Sequence, residues 1–343
     1  LAVGLGMHGY LAFRVFPVVI VFYLAARLVT ERRPFLKAQW RGILLGVLAA
    51  LIAFAPLGWY GYKNPVAFGM RMESASVFTG KSQAEAIKAI QETASKHLLM
   101  FNYRGDGNGR HNLPGRPMLD DVTGVLFVLG IALSLWRWRR PGHPTLLVWL
   151  GTMLTASIFS VDFEAPQAYR TIGNIPAATL LAAVALAAIW DAFRRGFGLK
   201  WDKAFIAPLV ILLAFVGYTN YDAYFNKQVK DFAVWAAWSS TQSEIAKKLQ
   251  TFTDDVDVYI SQNYQGHPTL KFLVPQFQAS KLFNLAEDVP INRSVVKDVV
   301  YILEPSFAYV VPLLQTIYPG GVFQEEMDPY KHTMFISGYV RKE

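Results

Sequence analysis

The stretch Ile172-Gly173-Asn174-Ile175-Pro176-Ala177-Ala178-Thr179-Leu180-Leu181-Ala182-Ala183-Val184-Ala185-Leu186-Ala187-Ala188-Ile189-Trp190 runs for nineteen residues without a formal charge. As a helix rising 1.5 Å per residue it is about 28 Å long, close to the ~30 Å hydrocarbon thickness of a bilayer. Tyr169 and Arg170 precede it, and Arg194 and Arg195 follow it. Aromatic and cationic flanks around an uncharged block of this length read as a membrane-spanning helix.

Working outward, five more blocks carry the same signature: 10–28, 42–60, 123–136, 145–161 and 205–221. The first is the least sharply bounded, because 1–13 is also apolar and Arg14 interrupts it. Together they predict a multi-pass α-helical membrane protein with about six transmembrane helices. Composition agrees: only 17% of residues are charged, against roughly 25% in soluble domains. After Tyr221 the long blocks give way to short alternating runs between charged stretches. The expected organisation is a transmembrane region, 1–221, with a long loop at 61–121, followed by a soluble α/β domain at 222–343.

The net charge of +8 is placed as membrane topology requires. Arg27, Arg32, Arg33, Lys37 and Arg41 follow the first span, Trp136-Arg137-Trp138-Arg139-Arg140 the third, and Arg194, Arg195, Lys200 and Lys203 the fifth. By the positive-inside rule these alternate loops are cytoplasmic. Loops 61–121 and 162–175 and everything after Tyr221 are then extracytoplasmic, in a cytoplasmic (inner) membrane. Arg71, Arg104, Arg110 and Arg116 lie in the long outer loop, where charge bias is not counted. No basic stripe with interleaved aromatics is present, so nucleic acid is not a partner. The chain has no cysteine, which removes disulfides and thiolate metal sites. Leu1 begins inside an apolar run with no basic segment ahead of it. No signal peptide is read there, and the chain is expected to be the C-terminal part of a longer one.

In the long loop, Ser82-x-x-Glu85 is a capping box that opens a helix. Ile87, Ile90, Ala94, Leu98 and Phe101 then form its predicted apolar stripe, laid either on the membrane surface or against the soluble domain. In the soluble domain the pattern predicts a helix over 226–252, strands at 256–260 and 299–303, a helix near 306–317 and a final strand at 334–340. Alternating strands and helices imply a mostly parallel sheet. No glycine-rich phosphate loop follows a strand, which leaves nucleotide binding without support.

Chemistry concentrates in three places. The run Asn102-Tyr103-Arg104-Gly105-Asp106-Gly107-Asn108-Gly109-Arg110-His111-Asn112-Leu113-Pro114-Gly115-Arg116-Pro117-Met118-Leu119-Asp120 packs three Arg, two Asp and one His among glycines. Arginine binds phosphate bidentately, and glycine lets backbone N–H groups approach an anion. The loop is either substrate-facing or simply shaped by its glycines and prolines. Asp106-x-Asn108 starts like a calcium loop, but Arg110 stands at the next ligand position. Glu164 and Arg170, before the fifth span, either hold a lipid phosphate or form a salt bridge that seats the helix end. Arg14, beside His8 and Tyr10, either snorkels or binds phosphate. His97, His111, His143, His267 and His332 show no metal-ligand spacing.

The run Gly6-Met7-His8-Gly9-Tyr10 with Arg14 and Pro17 resembles a known family, in order with three further stretches. These are Asn64-Pro65…Arg71…Ser76-Val77-Phe78, Arg104-Gly105-Asp106…Arg110-His111-Asn112-Leu113-Pro114-Gly115, and Ala165-Pro166…Tyr169-Arg170…Pro176. The family is the bacterial protein O-mannosyltransferase-like glycosyltransferases of the GT-C class. The resemblance covers most of the membrane region and only loosely the C-terminal domain. It implies transfer of a sugar from a polyprenyl-phosphate donor to a lipid, glycan or protein acceptor at the outer face, with inversion at the anomeric centre. It makes Arg14, Arg104, Arg110 and Arg170, with Asp106, His111 and Glu164, the candidate donor-binding residues. It puts the catalytic carboxylate in a first outer loop, upstream of Leu1, so this chain alone is expected to be inactive. No cofactor is firmly implied, and the resemblance leaves a divalent metal open. Two rival readings stand beside it: a transporter or flippase of a lipid-linked or anionic substrate, and a non-catalytic assembly subunit of the cell envelope.

Overall fold

A computed structural model of the chain describes residues 1–140, 142–198, 202–253, 255–277, 280–283 and 297–342. Lys200, from the third basic cluster, lies outside them. The chain divides into two compact units, Leu1–Val234 and Trp235–Glu343, rather than at Tyr221.

In the first unit, a short helix α1 (Ala2–Gly6) and a 3-10 turn (Leu11–Val15) lead into α2 (Pro17–Lys63). α2 is two helices in one: Arg32 sits at φ 53°, ψ −137°. The break has a cause in Pro34, whose missing N–H and ring interfere with the preceding helical turn. α3 (Pro65–Ser74), α4 (Gln83–Leu99), α5 (Asp121–Trp136), α6 (Gly142–Ile158), α7 (Ile175–Phe197) and α8 (Asp202–Tyr221) follow. Among the described residues, four helical stretches are long and apolar enough to cross a membrane: Leu11–Arg32, Pro34–Lys63, Ile172–Phe197 and Ala204–Lys230. The other two expected spans, 123–136 and 145–161, are helices of 16 and 17 residues, only about 24 and 26 Å long.

The core of this unit packs on small residues. Ala177, Ala178, Leu181, Ala182 and Ala185 of α7 are buried, as are Gly124, Phe127, Gly130 and Ser134 of α5. A Cβ on Gly130 would stand 2.0 Å from the Leu181 carbonyl oxygen, so only glycine allows this approach. Close backbone contact over small side chains is how helices associate where burial of apolar surface gives little drive.

α4 has its full capping box: Glu85 N donates to Ser82 Oγ (3.4 Å) and Ser82 N to Glu85 Oε2 (2.8 Å). Its buried face is not the predicted stripe. Ala86, Ala89, Thr93 and His97 point inward, whereas Ile87 and Leu98 are 50% and 64% exposed. α4 packs on α6, within its own unit. Thr93 donates to the Ile158 carbonyl (2.8 Å), a contact that needs a small polar face.

The segment 226–252 is not one helix. A π-helical turn (Asp222–Lys227) and a 3-10 turn (Gln228–Lys230) end the first unit's last long helix. α9 (Phe232–Ala236) and α10 (Ser240–Leu249) follow. Asp231 accepts from Val234 N (3.1 Å), and Ser239 takes a left-handed φ of 58°. Short polar side chains that compete for backbone hydrogen bonds interrupt helices in this way.

The second unit holds β1 (Val256–Ile260), α11 (Pro268–Leu273), β2 (Lys281–Leu282), β3 (Asp298–Leu303), α12 (Val311–Ile317), β4 (Val322–Met327) and β5 (Thr333–Val340). The sheet order is β2-β1-β3-β5-β4. β1 is parallel to β2 and β3, but β5 is antiparallel to β3 and β4 to β5, so the sheet is mixed rather than mostly parallel. β3 is buried on both faces: Val300 and Ile302 pack with α10 and α11 residues, Val299, Tyr301 and Leu303 with α12 residues. β4 went unread because Gln324-Glu325-Glu326 is an exposed, charged edge strand, the form edges take to discourage pairing.

Helix packing here predicts a contrast between two glycines. Gly130→Ala should lower the thermal midpoint in detergent by several degrees. Gly151→Ala, where nothing lies within 4 Å, should leave it unchanged or raise stability by up to about 1 kcal/mol. Equal effects would count against the α5–α7 contact.

Candidate functional site

After α4 the chain turns inward at Met100 and Phe101, both buried. It makes a closed excursion whose ends are pinned by Met118 N to Met100 O (3.0 Å) and Leu119 N to Phe101 O (3.1 Å). Residues 102–117 thus form a compact loop with its ends together. Its glycines are required where backbones touch or turn. A Cβ on Gly105 would meet the Arg116 carbonyl at 2.1 Å, and one on Gly109 the Ala233 carbonyl at 2.4 Å. Asn112 bridges the loop, donating to the carbonyls of Arg116 (2.6 Å) and Asp106 (3.2 Å).

Asp106 is 1% exposed. Its Oδ1 accepts from Asn108 N (2.7 Å), and its Oδ2 accepts from Ala168 N (2.7 Å) and lies 2.9 Å from His111 Nδ1. Ala168 belongs to the second outer loop of the sequence reading. The same two segments meet again where the His111 and Tyr169 rings stack, centroids 5.6 Å apart. Below them His97 Nδ1 bonds to the Thr93 carbonyl (2.7 Å), and its Nε2 accepts from Gln167 N (3.2 Å). Burial is the largest influence on His97 and holds its pKa below 6.5 against the opposing pull of the Thr93 carbonyl and the Asp106 carboxylate.

The joined loops line a cavity of about 480 Å³ with Arg110, His111, Tyr169, Thr171 and Asn174 set among Met100, Phe101, Leu119 and Ile175. A second cavity, about 310 Å³, has Tyr10, Arg14, Ser76, Ser160 and Arg170 in its wall. Tyr10 and Tyr169 stack edge-on at 4.5 Å. A third, about 350 Å³, is lined by Asp106, Asn108, Glu164 and Gln167.

The predicted residues therefore fall into distinct settings. Arg110 and His111 line the first cavity, and Asp106, which holds the His111 ring (2.9 Å), lines the third. Arg170 pairs with Glu164 (2.6 Å) and donates to Ser160 Oγ. Ser160 in turn holds the Ala75 carbonyl (2.8 Å), so the pair fastens the loop and also walls the second cavity. Arg14 shares that cavity, with its guanidinium 4.5 Å over the Phe68 ring. Arg104 is exposed and lines none of the three. Among the described residues no group of three or more His, Asp or Glu stands where it would hold a metal ion.

Sequence reasoning did not select Tyr169, Thr171, Asn174 or Ser160. Tyr169 was visible in the motif beside Arg170, whereas an uncharged residue such as Asn174 opening an apolar block gives only a helix-cap signal. Asp120, which caps α5, is pushed up by burial. Hydrogen bonds from Thr123 N (3.0 Å), Asn220 Nδ2 (3.0 Å) and Thr123 Oγ1 (2.7 Å) outweigh this and leave its pKa below the usual range. Compared with protein-family models, curated proteins and solved structures, the chain matches none.

Two measurements follow. Asp106→Ala orphans the N–H groups of Ala168 and Asn108 and should cost about 3 kcal/mol, seen as a lower unfolding midpoint; an unchanged midpoint would make the tie dispensable. For His97 the folded pKa lies below the unfolded one, so the unfolded chain binds the extra proton. Stability is then full above about pH 6.5 and falls as the pH drops toward the folded pKa. A pH series of melting curves should show this decline, and His97→Gln should flatten it; a slope identical in both proteins would assign it to other groups.

Proposed function

We propose that this chain works as a GT-C-like glycosyltransferase of the cell membrane. It would move a sugar from a polyprenyl-phosphate donor to a lipid, glycan or protein acceptor at the extracytoplasmic face. On this reading α5 and α6 cross the bilayer too, making six spans. The loop before α5 and the loop after α6 hold each other through Asp106 and Ala168 (2.7 Å), which supports an even number of crossings between them. Asn220 at the end of α8 reaches Asp120 at the start of α5 (3.0 Å), which supports the same for α5 through α8. Bilayers thin locally around helices of such length. Arg137, Arg139 and Arg140 would then be cytoplasmic, and the second unit extracytoplasmic.

One observation carries the functional reading: an apolar cavity of about 480 Å³ whose polar wall includes Arg110, His111 and Tyr169. That combination suits a ligand with a hydrocarbon chain and an oxyanion, because guanidinium binds phosphate while the apolar wall takes the chain. In the reaction, an acceptor hydroxyl oxygen attacks the anomeric carbon opposite the phosphate. The bond from that carbon to the phosphate oxygen breaks, and polyprenyl phosphate leaves with the electron pair. The hydroxyl proton passes to a carboxylate base. Arg110, with Arg14 at the neighbouring cavity, stabilises the charge gathering on the phosphate.

The test is sugar transfer by the complete gene product in detergent, offered a panel of radiolabelled polyprenyl-phosphate sugars. Arg110→Ala should lower kcat about 100-fold or more in folded protein, and Arg104→Ala less than threefold. No transfer and no binding with any donor would sink the proposal and favour a transporter or an assembly subunit.

A further inference from the structure

α4 carries more amphipathic character than its packing within the first unit uses. At about 100° per residue, Ala86, Ala89, Thr93 and His97 fall in one sector, and all four are buried. Ile87, Ile90, Ala94 and Leu98 fall in a second, centred about 100° to one side. Of these, Ile87 and Leu98 are 50% and 64% exposed, and Ile90 and Ala94 are half-buried. The four formal charges of the helix, Glu85, Lys88, Glu92 and Lys96, are all exposed. They fall in a third sector, centred about 100° to the other side. Leu99, in the last turn, is the one large apolar side chain among them. α4 thus has an apolar flank and a charged flank, with its buried face between them.

An exposed apolar flank is not how the second unit treats its own amphipathic helix. In α10, Ile245, Ala246 and Leu249 are all buried. The place of α4 accounts for the difference. It runs into Met100 and Phe101, which pack with Ala177, Ala178 and Leu181 in the first two turns of α7. α7 lies in a stretch, Ile172–Phe197, long and apolar enough to cross a membrane. Ile172 and Ile175, where that stretch begins, are themselves 51% and 59% exposed. Further back, Thr93 donates to the carbonyl of Ile158 at the end of α6 (2.8 Å), and Lys81 pairs with Asp162 just beyond it (3.1 Å). α4 therefore lies against the mouth of a helix fit to span, at the level of a bilayer surface. A helix lying in that plane meets lipid on one flank and water on the other.

We propose that α4 is an interfacial helix whose partner is the lipid surface at which α7 begins. Its Ile87–Leu98 flank is seated about 5–10 Å into the headgroup and acyl boundary, and its Glu92–Lys96 flank faces water. Met100 and Phe101, at its end, line the 480 Å³ cavity, so the seat fixes the depth at which that cavity opens. The inference stands apart from the glycosyltransferase reading and needs only that α7 crosses the membrane.

The chain has no cysteine, so single cysteines can be introduced without removing others. Ile87→Cys, Leu98→Cys, Glu92→Cys and Lys96→Cys are each labelled with a nitroxide in phosphatidylcholine nanodiscs. Power saturation then reads collisions with oxygen, which dissolves in lipid, and with a nickel chelate, which stays in water. The oxygen-to-nickel ratio should be about threefold or more higher at the Ile87 and Leu98 positions than at those of Glu92 and Lys96. Equal ratios on both flanks would put the helix in water and overturn the proposal. Shielding of the Ile87 and Leu98 positions from both reagents overturns it too, because protein then covers that flank. The unsubstituted protein gives a second reading that no folding defect can spoil. In nanodiscs holding a lipid with a diazirine in its upper acyl chain, photolysis should place adducts on Ile87 or Leu98, and an α4 with neither overturns the proposal.

Discussion

A single buried carboxylate organises the candidate site. Asp106 gathers Asn108 N, Ala168 N and the His111 ring, groups drawn from two loops 62 residues apart in sequence. Such a group is costly to bury and is tolerated when its oxygens are well supplied with donors. The order of the 102–117 loop therefore depends on the 162–175 segment, and the cavity between them exists because both are held. Arg170 does the equivalent on the other side of that segment, joining Glu164 to Ser160. Fixed in this way, Tyr169 touches both His111 and Tyr10.

Under the loops lies a scaffold built on close backbone approach rather than on large side chains. α5 and α7 meet over Gly130 and the alanines of α7, while large residues such as Val125, Val128, Leu129 and Leu180 remain exposed. That inversion of the usual soluble pattern suits helices surrounded by hydrocarbon. The second unit follows the soluble rule, with a two-sided apolar β3 between helices on either face.

Much of this architecture was legible. Long uncharged blocks announced the helices, Ser82 and Glu85 announced the start of α4, and the apolar run at 299–303 announced the central strand. The failures share a physical origin. The apolar stripe on α4 was read as a surface laid on the membrane or on the soluble domain, and nothing in it marked the opposite face, where Thr93 and His97 turn inward to bond the Ile158 and Thr93 carbonyls. The helix over 226–252 was drawn through Asp231, whose carboxylate accepts from Val234 N, and through Ser239, whose left-handed backbone interrupts it. β4 carries its charges outward at an edge and lacks the alternation that marks a strand. At the candidate site, charge drew attention to the two loops that meet at Asp106 and Ala168 but not to what each residue touches. Arg170 is largely a fastener, Asp106 an internal acceptor, and the neutral Asn174 left no trace in the charge pattern.

The separation between Asp106 and Ala168 also has a consequence in time. Chains emerge from the ribosome at about 5–20 residues per second, so the carboxylate is made roughly 3 to 12 s before its partner. During that interval α5 and α6 are made while the segment that will meet Asp106 is unfinished. The cavity is consequently a late product of biogenesis, closed only when α7 begins to arrive. A lesion in α5 or α6 would therefore be felt first as a loop that never finds its anchor.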